Sequence, residues 1–123
     1  MRILSITAQK PHSTGSGVYL TETVRGFKEL GHTQAVIAGV TREDSVKLPE
    51  GVGFYPVYYN SPELPFPVCG MSDEMPYEST RYRYMKPDMV DKFEAAFGST
   101  VLRAVKEFRP DVVICHHLYL LAA

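Results

Sequence analysis

The chain is short of the features that settle a protein's class at once. It has only two cysteines in 123 residues, Cys69 and Cys115, and they lie far apart. That is no disulfide framework, so free thiols in a reducing compartment are expected. No apolar run approaches the ~20 residues needed to cross a bilayer. No membrane-spanning helix is expected in these residues, while peripheral membrane contact stays open. The net charge is −1, which removes the electrostatic case for nucleic acid or an anionic membrane as the main partner. No secretory leader stands before the first strand, because Met1-Arg2 runs straight into it, and the expected location is cytoplasmic. There is no internal repeat and no low-complexity tract.

What is present is ordinary in amount, at 45% hydrophobic and 22% charged residues, and informative in order. Residues 1–123 are expected to form one domain with a real core. Arg2-Ile3-Leu4-Ser5-Ile6-Thr7 reads as a strand covered on both faces, because it is almost wholly apolar. Ser13 to Gly17 is a small-residue turn. Val18 to Leu30 has helical periodicity, with Leu20, Val24, Phe27 and Leu30 on one face. Ser16 is the expected N-cap and Gly31 the expected left-handed stop. Gly26, in the middle of that helix, costs ~1 kcal/mol relative to alanine unless a close approach to the sheet requires it. Thr33 to Gly39 is a strand again. Strand, glycine turn, helix, strand is the βαβ unit of a parallel sheet, and ligands meet such sheets at the carboxyl ends of the strands.

After a polar link, Gly51 to Tyr59 reads as a third strand, placed at a sheet edge because Pro56 has no N–H to donate. Residues 60–87 form a long irregular loop, with prolines at 62, 65, 67, 76 and 87. Its Phe66, Met71, Met75, Tyr77, Tyr82, Tyr84 and Met85 argue against disorder and for partial packing beside a binding wall. Asp88 to Arg109 is a second helix, with Asp88 as its expected N-cap and Val90, Phe93, Phe97, Val101, Val105 and Phe108 on its buried face. Gly98-Ser99-Thr100 is a candidate bend. Asp111 to Cys115 is a fourth apolar strand, followed by His116 and His117. Its free edge needs cover: a further strand, or a dimer through 111–115.

Three constellations carry chemistry. Gly15, Ser16 and Gly17 lead into a helix N-terminus, where the positive dipole end and close backbone approach suit an anion, although they also suit a plain tight turn. The dinucleotide fingerprint fits poorly, since Leu20 occupies its third small position and Ala38-Gly39 ends the strand where an acidic residue belongs. A P-loop is excluded by the missing Gly-Lys-Ser/Thr. His116 and His117 stand where active sites form in parallel sheets. Adjacent strand positions point opposite ways, and no ligand set with zinc spacing accompanies them, so no metal site is expected. Arg81, Tyr82, Arg83 and Tyr84 interleave cations and rings that can grip a phosphate, a carboxylate or a sugar face, or simply stand in water.

Taken together, the chain resembles the N-terminal domain of a GT-B glycosyltransferase of the group 1, or family 4, retaining type. The resemblance rests on Arg2-Ile3-Leu4-Ser5-Ile6 with Gly15-Ser16-Gly17-Val18, on Leu30-Gly31-His32 ahead of an apolar strand, and on Arg109-Pro110-Asp111-Val112-Val113-Ile114-Cys115-His116-His117. Ile114 stands where the family has the first of two alternating histidines, and His116 matches the second. The resemblance implies a Rossmann-like three-layer α/β domain with a mostly parallel sheet, the truncated N-terminal half of a two-domain enzyme. It implies transfer from a nucleotide-sugar to an acceptor hydroxyl with retention, without metal, cofactor or nucleic acid. His116 would lie beside the donor sugar, and Gly15, Ser16 and Gly17 by the diphosphate. The missing C-terminal domain would hold most of the donor, so this chain is expected to be inactive alone. Arg81, Tyr82, Arg83 and His117 are placed on the substrate side by position, not by motif. A non-catalytic phosphate- or nucleotide-binding α/β module or dimer, and a sugar-nucleotide epimerase, remain as alternatives.

Overall fold

A computed structural model of the chain describes residues 1–11, 15–70 and 75–116. In chain order the elements are β1 (Arg2–Thr7), α1 (Gly15–Glu29), β2 (Thr33–Val40), β3 (Gly53–Tyr58), β4 (Cys69–Gly70), β5 (Thr80–Arg81), α2 (Pro87–Phe108) and β6 (Val112–Cys115). Four strands form one parallel sheet in the order β3-β2-β1-β6. The two short strands β4 and β5 pair separately. This is a Rossmann-like α/β fold.

The order explains how the chain builds its layers. From β1 the chain steps to β2 through α1, and then to β3 through the link 41–52. Both crossovers lie on one face, where Leu20 and Val24 of α1 pack on Val36 and Ala38, with Leu48, Val52 and Phe54 half-buried around them. From β3 it returns to the far edge of the sheet through α2 on the other face. There Phe93, Phe97, Ala104 and Phe108 join Leu4, Ile6, Ala35 and Ile37. The strand order therefore reverses between β1 and β6, and that reversal opens a crevice at the carboxyl ends of these two strands.

The strands follow their apolar runs. β1 and β2 are buried along almost their whole length, as central parallel strands are. β3 lies at the edge, so Pro56 takes its place opposite Ala38 with its missing donor tolerated. Gly39 is a position of close approach: a Cβ there would lie 2.3 Å from the Ala8 carbonyl oxygen and 2.5 Å from the Tyr59 ring. Gly31 ends α1 at φ +86°, as expected of a left-handed stop. β6 is tied at its start by Asp111, whose carboxylate accepts from the Arg2 N–H at 2.8 Å and whose own N–H donates to the Arg2 carbonyl at 2.7 Å. Among the described residues nothing pairs with its outer edge, and Val112 and Val113 stay 40% and 47% exposed.

Several local expectations need correction. α1 begins at Gly15, so Ser16 lies inside the first turn and is not the cap. α2 begins at Pro87, whose fixed φ suits a first helical residue, and Lys86 takes the cap position in place of Asp88. Leu30 is 73% exposed because the helix has already ended at Glu29. Val105 is likewise exposed, since Ala104 and Phe108 hold the buried stripe. Gly98-Ser99-Thr100 leaves α2 continuous from Pro87 to Phe108. Arg109 closes the helix in the left-handed conformation at φ 53°, just before Pro110.

The irregular segment is core as much as loop. Tyr59, Leu64, Phe66, Val68 and Cys69 are buried in the same cluster as Phe93 and Phe97. Ser61 ties its tight turn, donating its hydroxyl to the Tyr58 carbonyl at 2.7 Å. Thr80 fastens its return, its N–H donating to the Val68 carbonyl at 2.9 Å and its hydroxyl to the Pro67 carbonyl at 2.6 Å. Among the described residues no helix is long and apolar enough to cross a membrane.

Candidate functional site

The crevice between β1 and β6 gathers two of the three constellations. β1 leaves the sheet through Thr7, Ala8 and Gln9, all buried. β6 leaves beside it, where the His116 N–H donates to the Ile6 carbonyl at 2.9 Å. That bond continues the ladder by one residue and fixes where the imidazole starts. The first turn of α1 is fastened to the same strand end, since the Ser16 hydroxyl donates to Gln9 Oε1 at 3.0 Å. One turn further, the Tyr19 ring meets the His116 ring edge-on, with centroids 6.0 Å apart. The start of α1, which is the positive end of its dipole, the end of β1 and His116 thus lie side by side. Gly15 is exposed there, and a Cβ on it would meet nothing within 4 Å. His117 lies outside the described residues.

The third constellation sits elsewhere in the chain's packing. Arg81 ends β5, and Tyr82–Tyr84 form a single 3-10 turn. The guanidinium carbons of Arg81 and Arg83 lie 5.7 Å and 5.1 Å from the centre of the Tyr84 ring. Tyr84 is mostly exposed, whereas Tyr82 packs against the larger core cluster. Burial pushes the Tyr82 hydroxyl well above its usual range. It therefore stays neutral and is not a base.

Behind this turn lies a buried polar cluster. Burial raises the Cys69 thiol to about 11, although the Tyr59 hydroxyl works the other way. Cys69 is thus a protonated, packed thiol 3.8 Å from the Met85 sulfur, with no character of a nucleophile. Burial also raises Tyr59, Tyr77 and Cys115. In front of Tyr77 stands Lys10, its ammonium 4.6 Å from the ring centre and 3.0 Å from Asp44. Among the described residues no three His, Cys, Asp or Glu side chains gather as a metal set.

The residues that no motif announced are Arg42 and Arg103. They come from after β2 and from α2, and both line a cleft of about 400 Å³ beside β3. Their sequence separation hid them, and a signal existed only in their tyrosine neighbours on β3. The sequence matches no family model, and no curated protein matches it either.

Proposed function

We propose that this chain is the acceptor-side domain of a retaining glycosyltransferase, which moves a sugar from a nucleotide-sugar to an acceptor hydroxyl. One observation carries the reading: α1 reaches His116 at the β1–β6 crevice through Tyr19, one turn past Gly15–Gly17, with the rings 6.0 Å apart. In the reaction the bond from the sugar's anomeric carbon to the donor diphosphate breaks, a bond to the acceptor oxygen forms on the same face, and the acceptor hydroxyl's proton passes to the leaving diphosphate. The diphosphate leaves with negative charge. Gly15, Ser16 and Gly17, at the positive end of α1, stabilise that charge. His116 orients the sugar or the acceptor hydroxyl, with His117 as its neighbour. Arg81, Tyr82 and Arg83 shape the acceptor side.

The nucleotide-sugar is a co-substrate, and a second domain supplies most of its contacts, so the chain alone is inactive. A second copy or a further strand covers the open edge of β6. The test is sugar transfer by the protein as its own cell makes it, followed with radiolabelled nucleotide-sugar. His116→Ala is expected to lower the rate about 100-fold or more, the usual scale for a positioned catalytic group. Near-normal transfer by that variant overturns the role of His116. Epimerised nucleotide-sugar formed without any acceptor overturns transfer itself.

A further inference from the structure

We infer that the cleft between β3 and the middle of α2 is a second ligand site, one that takes a sugar phosphate. It stands apart from the crevice just described: β3 is the opposite edge strand, with β2 between it and β1. The inference does not depend on the transfer reading.

The cleft is built around two arginines. Arg42 lies with its guanidinium carbon 4.6 Å from the centre of the Tyr58 ring, and Arg103 with its own 5.5 Å from that of Tyr55. A guanidinium already resting on a ring loses less freedom when it binds an anion. The ion pairs among the described residues are Lys10–Asp44 and Arg25–Glu22, so neither cleft arginine is locked in a direct ion pair, although Glu107 stands beside Arg103 at the Tyr55 hydroxyl. A guanidinium fork matches phosphate oxygens in pairs. Both guanidinium groups line the cleft, and each offers its fork to the anionic end of a ligand.

The rest of the lining asks for hydroxyl groups. Ser99 and Thr100 donate their hydroxyls to the Ala96 carbonyl, at 3.1 Å and 2.9 Å, which fixes each oxygen as an acceptor. Glu63 lines the same cleft and adds a carboxylate acceptor. Inorganic phosphate at neutral pH has little to offer those acceptors, whereas a phosphorylated polyol brings several O–H donors with its dianion. Glu63 in the lining and Glu107 at Tyr55 balance the two arginines, so the dianion is held by the guanidinium forks and not by a net charge. The volume of about 400 Å³ lies in the range of small-molecule sites.

The test is an NMR titration of the isotope-labelled chain with glucose 6-phosphate, and separately with inorganic phosphate and with glucose. Saturable shifts are expected at Arg42, Tyr58, Glu63, Ser99, Thr100 and Arg103. Glucose 6-phosphate should bind more tightly than phosphate, and glucose alone should give no shift. Arg42→Ala and Arg103→Ala should each weaken binding about tenfold or more, the scale of one charge-assisted hydrogen bond. Both side chains are exposed, so an otherwise unchanged amide spectrum will verify that the fold is kept. Arg103→Lys keeps the charge but loses the fork, and should weaken binding as well. No saturable shift, or an affinity unchanged by both alanine substitutions, overturns the inference. Shifts confined to Gly15–Gly17 and His116 overturn it too, and leave the transfer reading standing. Equal affinity for phosphate and glucose 6-phosphate overturns the assignment of a sugar.

Discussion

The two faces of the sheet are closed by unequal means. On the α1 face a short cluster of Leu20, Val24, Val36 and Ala38 suffices, helped by half-buried Leu48, Val52 and Phe54 from the link and the edge strand. On the α2 face a helix alone is not enough. Segment 59–70 adds Tyr59, Leu64, Phe66, Val68 and Cys69 to what α2 brings. The difference follows from the connections. The α1 face is spanned by two short steps between neighbouring strands. The α2 face carries the single long return from β3 to β6, and the chain it spends there becomes core. The start of α1 and His116 lie where the thinner face meets the strand reversal.

The largest expected effects test that inequality. Phe93→Ala removes a fully buried ring from the thick face and should cost about 3–5 kcal/mol. Leu64→Ala should cost about 2–5 kcal/mol, although it lies outside any helix or strand. Leu20→Ala, in the smaller cluster, should fall at the low end of the same range, about 2–3 kcal/mol. Urea unfolding of the three variants measures all of this. Equal costs for Leu20→Ala and Phe93→Ala would mean that the two faces are not unequal. A cost for Leu64→Ala below about 0.5 kcal/mol, the scale of a surface change, would turn segment 59–70 back into a loop.

The same contrast explains what could be read from the sequence. β1, β2, both helices and β6 announced themselves, because period and apolar runs are local signals. That the start of α1 and His116 lie at the same end of the sheet was foreseeable too, since parallel strands deliver their carboxyl ends to one side of the sheet. The helix boundaries slipped by one to three residues because Gly15-Ser16-Gly17 and Pro87 take helical backbone without looking like helix interior. Leu30 and Val105 were misplaced for related reasons, one by the early stop at Glu29 and the other by a small Ala104 on the buried stripe. The path of segment 59–70 was not legible, since its contacts are tertiary and its backbone has no period. Arg42 and Arg103 come together only because β3 lies at the edge, next to α2.

A smaller effect comes from the point where the two faces are tied. Lys10, at the exit of β1, reaches Asp44 on the link at 3.0 Å and covers the Tyr77 ring of the thicker face at 4.6 Å. Burial alone would raise the Asp44 carboxyl. The Thr41 N–H at 2.7 Å, the Thr41 hydroxyl at 3.0 Å and the Lys10 ammonium outweigh it, and the net shift is downward. A carboxyl held lower in the folded chain stabilises it above the unfolded value and loses that contribution as pH falls through the folded one. The effect should be about 0.5–1 kcal/mol, kept small because water reaches the pair. Asp44→Asn should cost that much at pH 7 and flatten the loss of stability below pH ~4. An unchanged acid limb in the variant would mean that the tie contributes nothing.

The smallest effects probe the helices themselves. Gly26 lies in α1 and Gly98 in α2, and a Cβ at either meets nothing within 4 Å. Gly26 is therefore not the close approach to the sheet that its mid-helix position suggests. Glycine inside a helix costs roughly 0.5–1 kcal/mol against alanine through the freedom it keeps when unfolded. Gly26→Ala and Gly98→Ala should each raise the unfolding free energy by about that amount, and by nearly equal amounts, because the gain arises in the unfolded chain and not in either face. Thermal and urea unfolding of the single and double variants give the comparison, and the double should be additive for sites so far apart in the fold. A gain at Gly98 with a loss at Gly26 would break the symmetry. It would mean that α1 packs more closely at Gly26 than α2 does at Gly98, and that the thin face is thin because its helix is pressed inward.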